Sequence, residues 1–205
     1  MSAPEVPSGH LVLLRHGETE WSRSGRHTGL TDVPLTANGE VLARAAGALL
    51  TDFHFTTVLC SPLLRARRTA ELAGLHAEVD PDLVEWDYGG YEGLTTAQIR
   101  ADLGHDWSVF RDGVVPGATP GETVEEVAAR ASRVLARVIP ALATGDVALV
   151  GHGHCLRILT ATFLRQETRM AAQILLDAGS ASVLQFEREE PAIRTWNRLP
   201  TLPTD

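Results

Sequence analysis

Two unbroken apolar runs constrain this chain more than any other feature: Leu11-Val12-Leu13-Leu14 and Val147-Ala148-Leu149-Val150. A strand with one wet face alternates apolar and polar residues. A run without alternation reads as a strand covered on both faces, as in the interior of a parallel sheet. Parallel strands need long crossovers, usually helical, so the expected class is an α/β protein with an open, mostly parallel sheet. At 205 residues, 44% hydrophobic and 21% charged, the chain fills one core and is too short for two full domains. A single domain over 1–205 is expected, with an ordered core over about 10–198.

Both runs stop at residues that carry chemistry. The first ends in Arg15-His16-Gly17 and the second in Gly151-His152-Gly153-His154. A third buried strand, Val58-Leu59-Cys60, is followed by Ser61-Pro62 and Arg65. Open α/β sheets bind ligands at the carboxyl ends of their strands. With the three strands as parallel neighbours, two arginines and two histidines surround one small pocket. That set suits a tetrahedral phosphoryl group. The arginines offer forked donors to its oxygens, one imidazole attacks, and the second donates to the transferring oxygens. Gly17 lets the backbone approach a ligand closely. Each element has a plainer explanation by itself. Arg-His-Gly arises by chance, Arg65 reads as a surface residue, and Gly-His-Gly-His resembles a metal pair but lacks a carboxylate in register. The joint placement at three strand ends is what points to a phosphate site.

Between these strands, Thr19 to Pro34 is a long polar loop of the kind that carries function. Thr36 caps an expected helix through Val41, Leu42, Ala45, Ala46, Leu49 and Leu50. Ser61-Pro62 reads as a helix cap with proline at the first position. Arg65 then falls in the first turn, where the helix dipole opposes a cation, so an anion is expected to hold it. Ala77 to Val79 reads as a short strand. Residues 83–121 break the rhythm with aromatics, acids and glycines and are expected to cover one end of the sheet. Thr95 with Gln98, and Thr123 with Glu126, are capping boxes; the second opens a helix whose apolar face extends to Leu142. Ser182–Phe186 and Ala192–Trp196 read as an edge hairpin. Residues 1–9 and 199–205 read as loose tails.

The formal net charge of −8 argues against nucleic acid or an anionic membrane as partner. An anionic substrate then needs a local cationic pocket. All 18 basic residues are arginine, which excludes a Schiff-base lysine and a lysine-bearing phosphate loop. Cys60 and Cys155 sit in apolar surroundings and read as buried free thiols of a reducing compartment. The absence of a signal peptide pattern and of a long apolar run points to a cytoplasmic location.

Leu-Val-Leu-Leu-Arg15-His16-Gly17-Glu18-Thr19, Ser61-Pro62-Leu-Leu-Arg65-Ala66-Arg-Arg-Thr69-Ala70 and Gly151-His152-Gly153 resemble the three signature stretches of the histidine phosphatase superfamily, the phosphoglycerate mutase-like clan. The resemblance covers about residues 10–198. It implies a three-layer α/β/α sandwich with a mostly parallel, doubly wound sheet, and a covalent phosphohistidine on His16. It gives Arg15, Arg65 and His152 the task of holding the phosphoryl group. Glu85 matches the family's general acid: a carboxylic acid kept protonated beside the pocket, which donates to the leaving alkoxide and then activates water. Asp87 and Glu92 are the alternatives nearby. Thr28 and Gly29 match a segment that contacts substrate. Ser22 and His154 stand where many mutases have asparagine. The stretch after Glu85 lacks the adjacent arginine pair with which mutases grip a second anion. Residues 85–95 and Gly-His-Gly-His-Cys-Leu-Arg look most like the branch of acid phosphatases and sugar-bisphosphate phosphatases.

The expected function is a metal- and cofactor-independent phosphomonoesterase acting on a small phosphorylated metabolite, a sugar phosphate. The alternatives are a cofactor-dependent phosphoglycerate mutase and an idle binding protein on the same fold. A homodimer is implied by the family only.

Overall fold

The computed structural model describes residues 7–202. Six strands form one sheet: β1 (Leu11–Arg15), β2 (Phe55–Cys60), β3 (Glu78–Val79), β4 (Asp146–Gly151), β5 (Ala181–Glu187) and β6 (Glu190–Arg198). Their order is β3-β2-β4-β1-β5-β6. β3, β2, β4 and β1 run parallel, and β5 and β6 add an antiparallel edge. The chain leaves β1 for β2 and returns later to thread β4 between them. All eight residues of the two apolar runs have no exposed surface, which is why neither run alternates.

The strand pleat divides the core. Leu11, Leu13, Val147 and Leu149 face one side, beneath helices α6 (Val124–Val138) and α7 (Gly153–Phe163). Val12, Leu14, Val150 and Cys60 face the other, against Ala46 of α2 (Ala37–Ala46) and Ala66 and Ala70 of α3 (Leu64–Leu72). The result is the expected three-layer sandwich. Register fixes where the strands end: Arg15 lies opposite Gly151, and Cys60 opposite Val150. The three carboxyl ends therefore finish level. Among the described residues, no helix is long and apolar enough to cross a membrane.

Several sequence expectations need correction. The helix capped by Thr36 ends at Ala46 and passes into a 3-10 turn over Gly47–Leu49; Val41 faces solvent. The helix expected to begin at Ser61-Pro62 begins at Leu64. Asp32, from the polar loop, supplies its cap by accepting from the Leu64 N–H at 2.7 Å. The helix opened by Thr123 stops at Val138, two residues before Pro140, whose missing N–H and ring end it. Leu142 is buried from the 3-10 turn that follows. The strand expected at 77–79 is only Glu78–Val79. A short α1 (Glu20–Arg23) opens the polar loop. The 83–121 stretch holds the expected α4 (Thr96–Leu103) and an unforeseen α5 (Val109–Asp112), and packs Trp86, Tyr88, Trp107 and Phe110 against the α6–α7 side of the core. The tails expected at 1–9 and 199–205 fall partly on residues 1–6 and 203–205, outside the described residues. Cys60 and Cys155 are free and buried; burial pushes their thiols up to about 12 and about 11.

Candidate active site

His16 follows β1 directly and is tied to both neighbouring strand regions. Its N–H donates to Gly151 O at 2.9 Å, and its carbonyl accepts from Gly179 N at 2.9 Å. The ring Nδ1 lies 2.7 Å from Gly17 O. A carbonyl only accepts, so Nδ1 carries the proton and Nε2 keeps its lone pair. Burial, reinforced by the positive charges of Arg15 and Arg65, holds the His16 pKa well below the usual histidine range. The ring is therefore neutral and oriented, with the Nε2 lone pair unprotonated.

The backbone that fixes this ring is itself fixed. Gly17 N–H donates to Thr69 Oγ1 at 3.0 Å, and the Thr69 hydroxyl donates to Arg65 O at 2.7 Å. Gly17 approaches the protein rather than a ligand. A Cβ there would lie 2.3 Å from Gly39 O, and one on Gly39 would lie 2.0 Å from Glu18 O. Only two glycines let the first turn of α2 lie this close to the loop after β1.

Arg65 is fully buried, and carbonyls hold it instead of the expected anion. Its Nη1 donates to Thr31 O, and its Nη2 to Thr28 O and Gly29 O. Its Nε donates to Nδ1 of His152 at 3.1 Å. Because Nδ1 accepts, neutral His152 carries its proton on Nε2, which donates to Ser61 Oγ at 2.7 Å. His152 has no exposed surface, and both ring nitrogens are engaged. It lies beside His16, with ring centroids 5.1 Å apart, but the expected donation to a phosphoryl oxygen finds no free ring nitrogen. The same engagement removes it from any metal pair with His154. Among the described residues, no group of three or more His, Cys, Asp or Glu could hold a metal ion.

A cavity of about 200 Å³ opens over His16, with Arg15, Glu85, Tyr88 and His154 in its wall. Arg15 Nη1 donates to Leu176 O. Arg15 Nε is buried and unpartnered, the only such side-chain nitrogen or oxygen among the described residues. A Cβ on Gly153 would sit 3.3 Å from Arg15 Cζ, so glycine gives the guanidinium its place at the start of α7. Glu85 reaches the cavity from the 83–121 stretch. Its Oε1 accepts from Trp86 N and Cys155 N, and its Oε2 from His154 N, at 2.8–3.0 Å. These bonds fasten the Glu85 carboxyl group to the first turn of α7 and so fix its place in the cavity wall.

The alternatives, Asp87 and Glu92, are not among the residues that line the cavity. Asp87 accepts from Gly89 N, Gly121 N and the Thr119 hydroxyl. Glu92 accepts from Gly29 N and Thr31 N. That last contact corrects the assignment of Gly29 as a substrate donor, because its N–H is already used. The Ser22 hydroxyl donates to Thr19 O and accepts from Thr19 N within the α1 capping box, so it lines the cavity with a committed hydroxyl. Thr28 lines the cavity and donates to Arg26 O at 3.2 Å. His154 lines it with Nδ1 against Tyr88 Oη. Burial, then Arg157, His27 and Arg15, hold His154 well below the usual histidine pKa. Thr69, Tyr88 and Arg157 had drawn no assignment. All three stand within the quoted stretches, but the direction of each side chain shows only in three dimensions.

The family model for the histidine phosphatase superfamily (branch 1) matches residues 11–199. The chain belongs to the histidine phosphatase superfamily. Among relatives, it is 40% identical over 185 residues to an acid phosphatase of Mycobacterium tuberculosis, covering 89% of each chain. It is 36% identical to sedoheptulose 1,7-bisphosphatase of Saccharomyces cerevisiae, over 73% of this chain and 65% of that one. It is also 36% identical to a 2,3-bisphosphoglycerate-dependent phosphoglycerate mutase of Gloeobacter violaceus, over 73% of each. Among solved structures of this superfamily, open reading frame Rv3214 of Mycobacterium tuberculosis superposes with a TM-score of 0.87 at 37% identity, over 94% of this chain and 98% of that one. The enzyme class expected from the sequence, a phosphatase, agrees with these relatives.

Proposed function

We propose that this histidine phosphatase hydrolyses small phosphomonoesters, sugar phosphates in particular, through a phosphohistidine on His16. The observation that carries the reading is the His16 Nδ1–Gly17 O bond, which leaves Nε2 as a neutral nucleophile in the cavity. Nε2 attacks phosphorus while the P–O bond to the leaving group breaks, and Glu85 gives its proton to the departing oxygen. Water then attacks the phosphohistidine, Glu85 takes a proton from it, and the P–N bond breaks to release inorganic phosphate. Arg15 serves the transferring oxygens through its unpartnered Nε. Arg65 supplies positive charge from beneath, and His152, locked between Arg65 and Ser61, holds that guanidinium in place.

Hydrolysis is favoured over mutase chemistry by the missing arginine pair after Glu85 and by the end-to-end likeness to an acid phosphatase. The likeness to a mutase motivates the competing assay. Phosphate release from p-nitrophenyl phosphate and a panel of sugar phosphates is measured with EDTA present, alongside His16→Ala. The expected result is release that EDTA leaves intact and the variant lacks, with acid-labile phosphate trapped only on the wild type. Phosphoglycerate interconversion without net release would replace the reading with a mutase. Silence in both assays would leave a binding protein.

A further inference from the structure

The buried face of α6 is apolar except at one position. Val124, Val127, Ala131, Val134, Leu135 and Val138 repeat at helical spacing, and Arg130 interrupts them. Burying a guanidinium costs free energy, and well-packed apolar residues of similar volume often stabilise a core as well or better. Stability therefore does not account for Arg130, whereas its contacts do. Nε and Nη2 meet the Glu122 carboxylate as a fork, at 2.9 and 3.1 Å. Nη1 donates to Asp82 O at 2.9 Å and to Val84 O at 2.6 Å, and lies 3.4 Å from Cys155 Sγ.

These partners surround one residue, Glu85. Val84 precedes it in the chain, and Cys155 supplies the amide that donates to its Oε1 at 2.8 Å. Glu122 carries the hold to the other side. Its Oε2 accepts from Asp87 N at 3.0 Å, its carbonyl from Trp86 Nε1 at 2.8 Å, and its N–H donates to Asp87 O at 2.9 Å. One guanidinium thus ties together the chain before Glu85, the chain after it, and the turn of α7 that binds its carboxyl group. Arg130 itself is not in the cavity lining. Arg133, three residues on, makes a contact of a different kind: it is exposed and meets the Asp82 carboxylate, a surface pair of small worth.

A general acid must lie within hydrogen-bond reach of the leaving oxygen, and a misplacement of about 1 Å can cost about 100-fold. The Glu85 carboxyl group bridges two segments, its own stretch of chain and the start of α7. It is placed only as well as those two are held together. We propose that Arg130, acting with Glu122, is a positioning residue for the general acid: it sets where Glu85 meets the leaving oxygen and touches no substrate. The proposal rests on the reading of Glu85 as the acid.

The test compares kcat/KM for glycerol 3-phosphate, whose alkoxide must be protonated, with p-nitrophenyl phosphate, whose leaving group needs little protonation. Arg130→Met is expected to lose about tenfold or more beyond its loss on p-nitrophenyl phosphate when the ester is glycerol 3-phosphate. Arg130→Lys keeps the charge but lacks the fork, and should recover part of that difference. Arg133→Gln should leave the ratio of the two esters within about twofold of wild type. In Glu85→Gln/Arg130→Met the loss on glycerol 3-phosphate should match that of Glu85→Gln alone, because a residue acting through the acid adds nothing once the acid is gone. Equal losses on both esters in Arg130→Met, or losses that multiply in the double variant, would overturn the assignment. If Arg130→Met does not fold, Glu122→Gln takes its place in every comparison, with a selective loss of about threefold expected from a weakened fork. Should Glu85→Gln itself fail to separate the two esters, the acid reading falls, and amide hydrogen exchange decides the brace. The amides of Trp86, His154 and Cys155 should then exchange about tenfold faster in Arg130→Met, while those of β1 and β4 keep their wild-type protection. Unchanged exchange at those three amides would overturn it.

Discussion

Replacing Thr69 by valine should loosen the nucleophile without touching it. Thr69 has no exposed surface, and its Oγ1 is the acceptor for Gly17 N–H at 3.0 Å. Valine fills nearly the same volume, so packing changes little, but the Gly17 amide is left buried without a partner. That penalty is about 1–3 kcal/mol. The bond from Thr69 to Arg65 O also goes, at small cost, because that carbonyl lies within the α3 ladder. For a domain of this size each kcal/mol moves Tm by about 2–4 °C, so a central loss of about 2 kcal/mol gives a fall of roughly 4–8 °C. Function should fall further than stability implies. Gly17, freed at its N–H, is the residue whose carbonyl, on the next peptide unit, holds His16 Nδ1. A kcat drop of about tenfold or more at a temperature where the variant is fully folded is expected from a misplaced nucleophile. Thr69→Ser keeps the hydroxyl and loses one methyl, worth about 0.8 kcal/mol, and should keep near-native kcat. Calorimetry and p-nitrophenyl phosphate turnover read both effects. A valine variant within 1 °C and twofold of wild type, or a serine variant as impaired as the valine one, would refute the reasoning.

Three further outcomes follow from the same structure. Glu85→Gln should cost roughly 100-fold or more on sugar phosphates but less than tenfold on p-nitrophenyl phosphate, whose leaving group needs little protonation; equal losses would remove Glu85 as the acid. Glu92→Gln weakens the charge-assisted bonds to Gly29 N and Thr31 N and should raise KM more than it lowers kcat, checked by steady-state kinetics; an unchanged KM would mean the loop does not depend on that carboxylate. Burial lowers the His27 pKa to about 4. Below the unfolded value near 6.5 the unfolded chain binds the extra proton, so this stability is fully present above about pH 6.5 and is lost as pH falls towards 4. The loss totals about 3 kcal/mol. Urea unfolding between pH 7 and 4.5 should show it, and His27→Gln should flatten the curve by about one proton's slope; identical slopes would count against a buried neutral His27.

The parts of this fold that rest on local physics were readable in the chain. Apolar runs without alternation marked β1 and β4 because both faces of those strands are covered. The two capping boxes marked α4 and α6 because their partners lie three residues apart. The start of α3 differs from the sequence expectation because its cap acceptor, Asp32, comes from another part of the chain, while Ser61 Oγ accepts from Leu63 N and His152. The site divides in the same way. Its members could be named from strand ends and motif likeness, whereas the use of each polar atom could not. Gly29 N–H looked available until Glu92 was seen to hold it. Arg65 looked in need of an anion until the carbonyls of 28, 29 and 31 were seen around it. Hydrogen-bond satisfaction is a property of contacts distant in sequence, so no spacing rule reports it.

The segment 28–31 is held from both sides, its carbonyls by the Arg65 guanidinium and two of its amides by the Glu92 carboxylate. Floor and rim of the cavity are therefore one mechanical unit. Ordering this rim is part of folding, so substrate meets a surface that needs little rearrangement, and encounter rather than closure sets how fast it enters. On heating, catalytic competence and the fold itself should be lost together, in a single cooperative event.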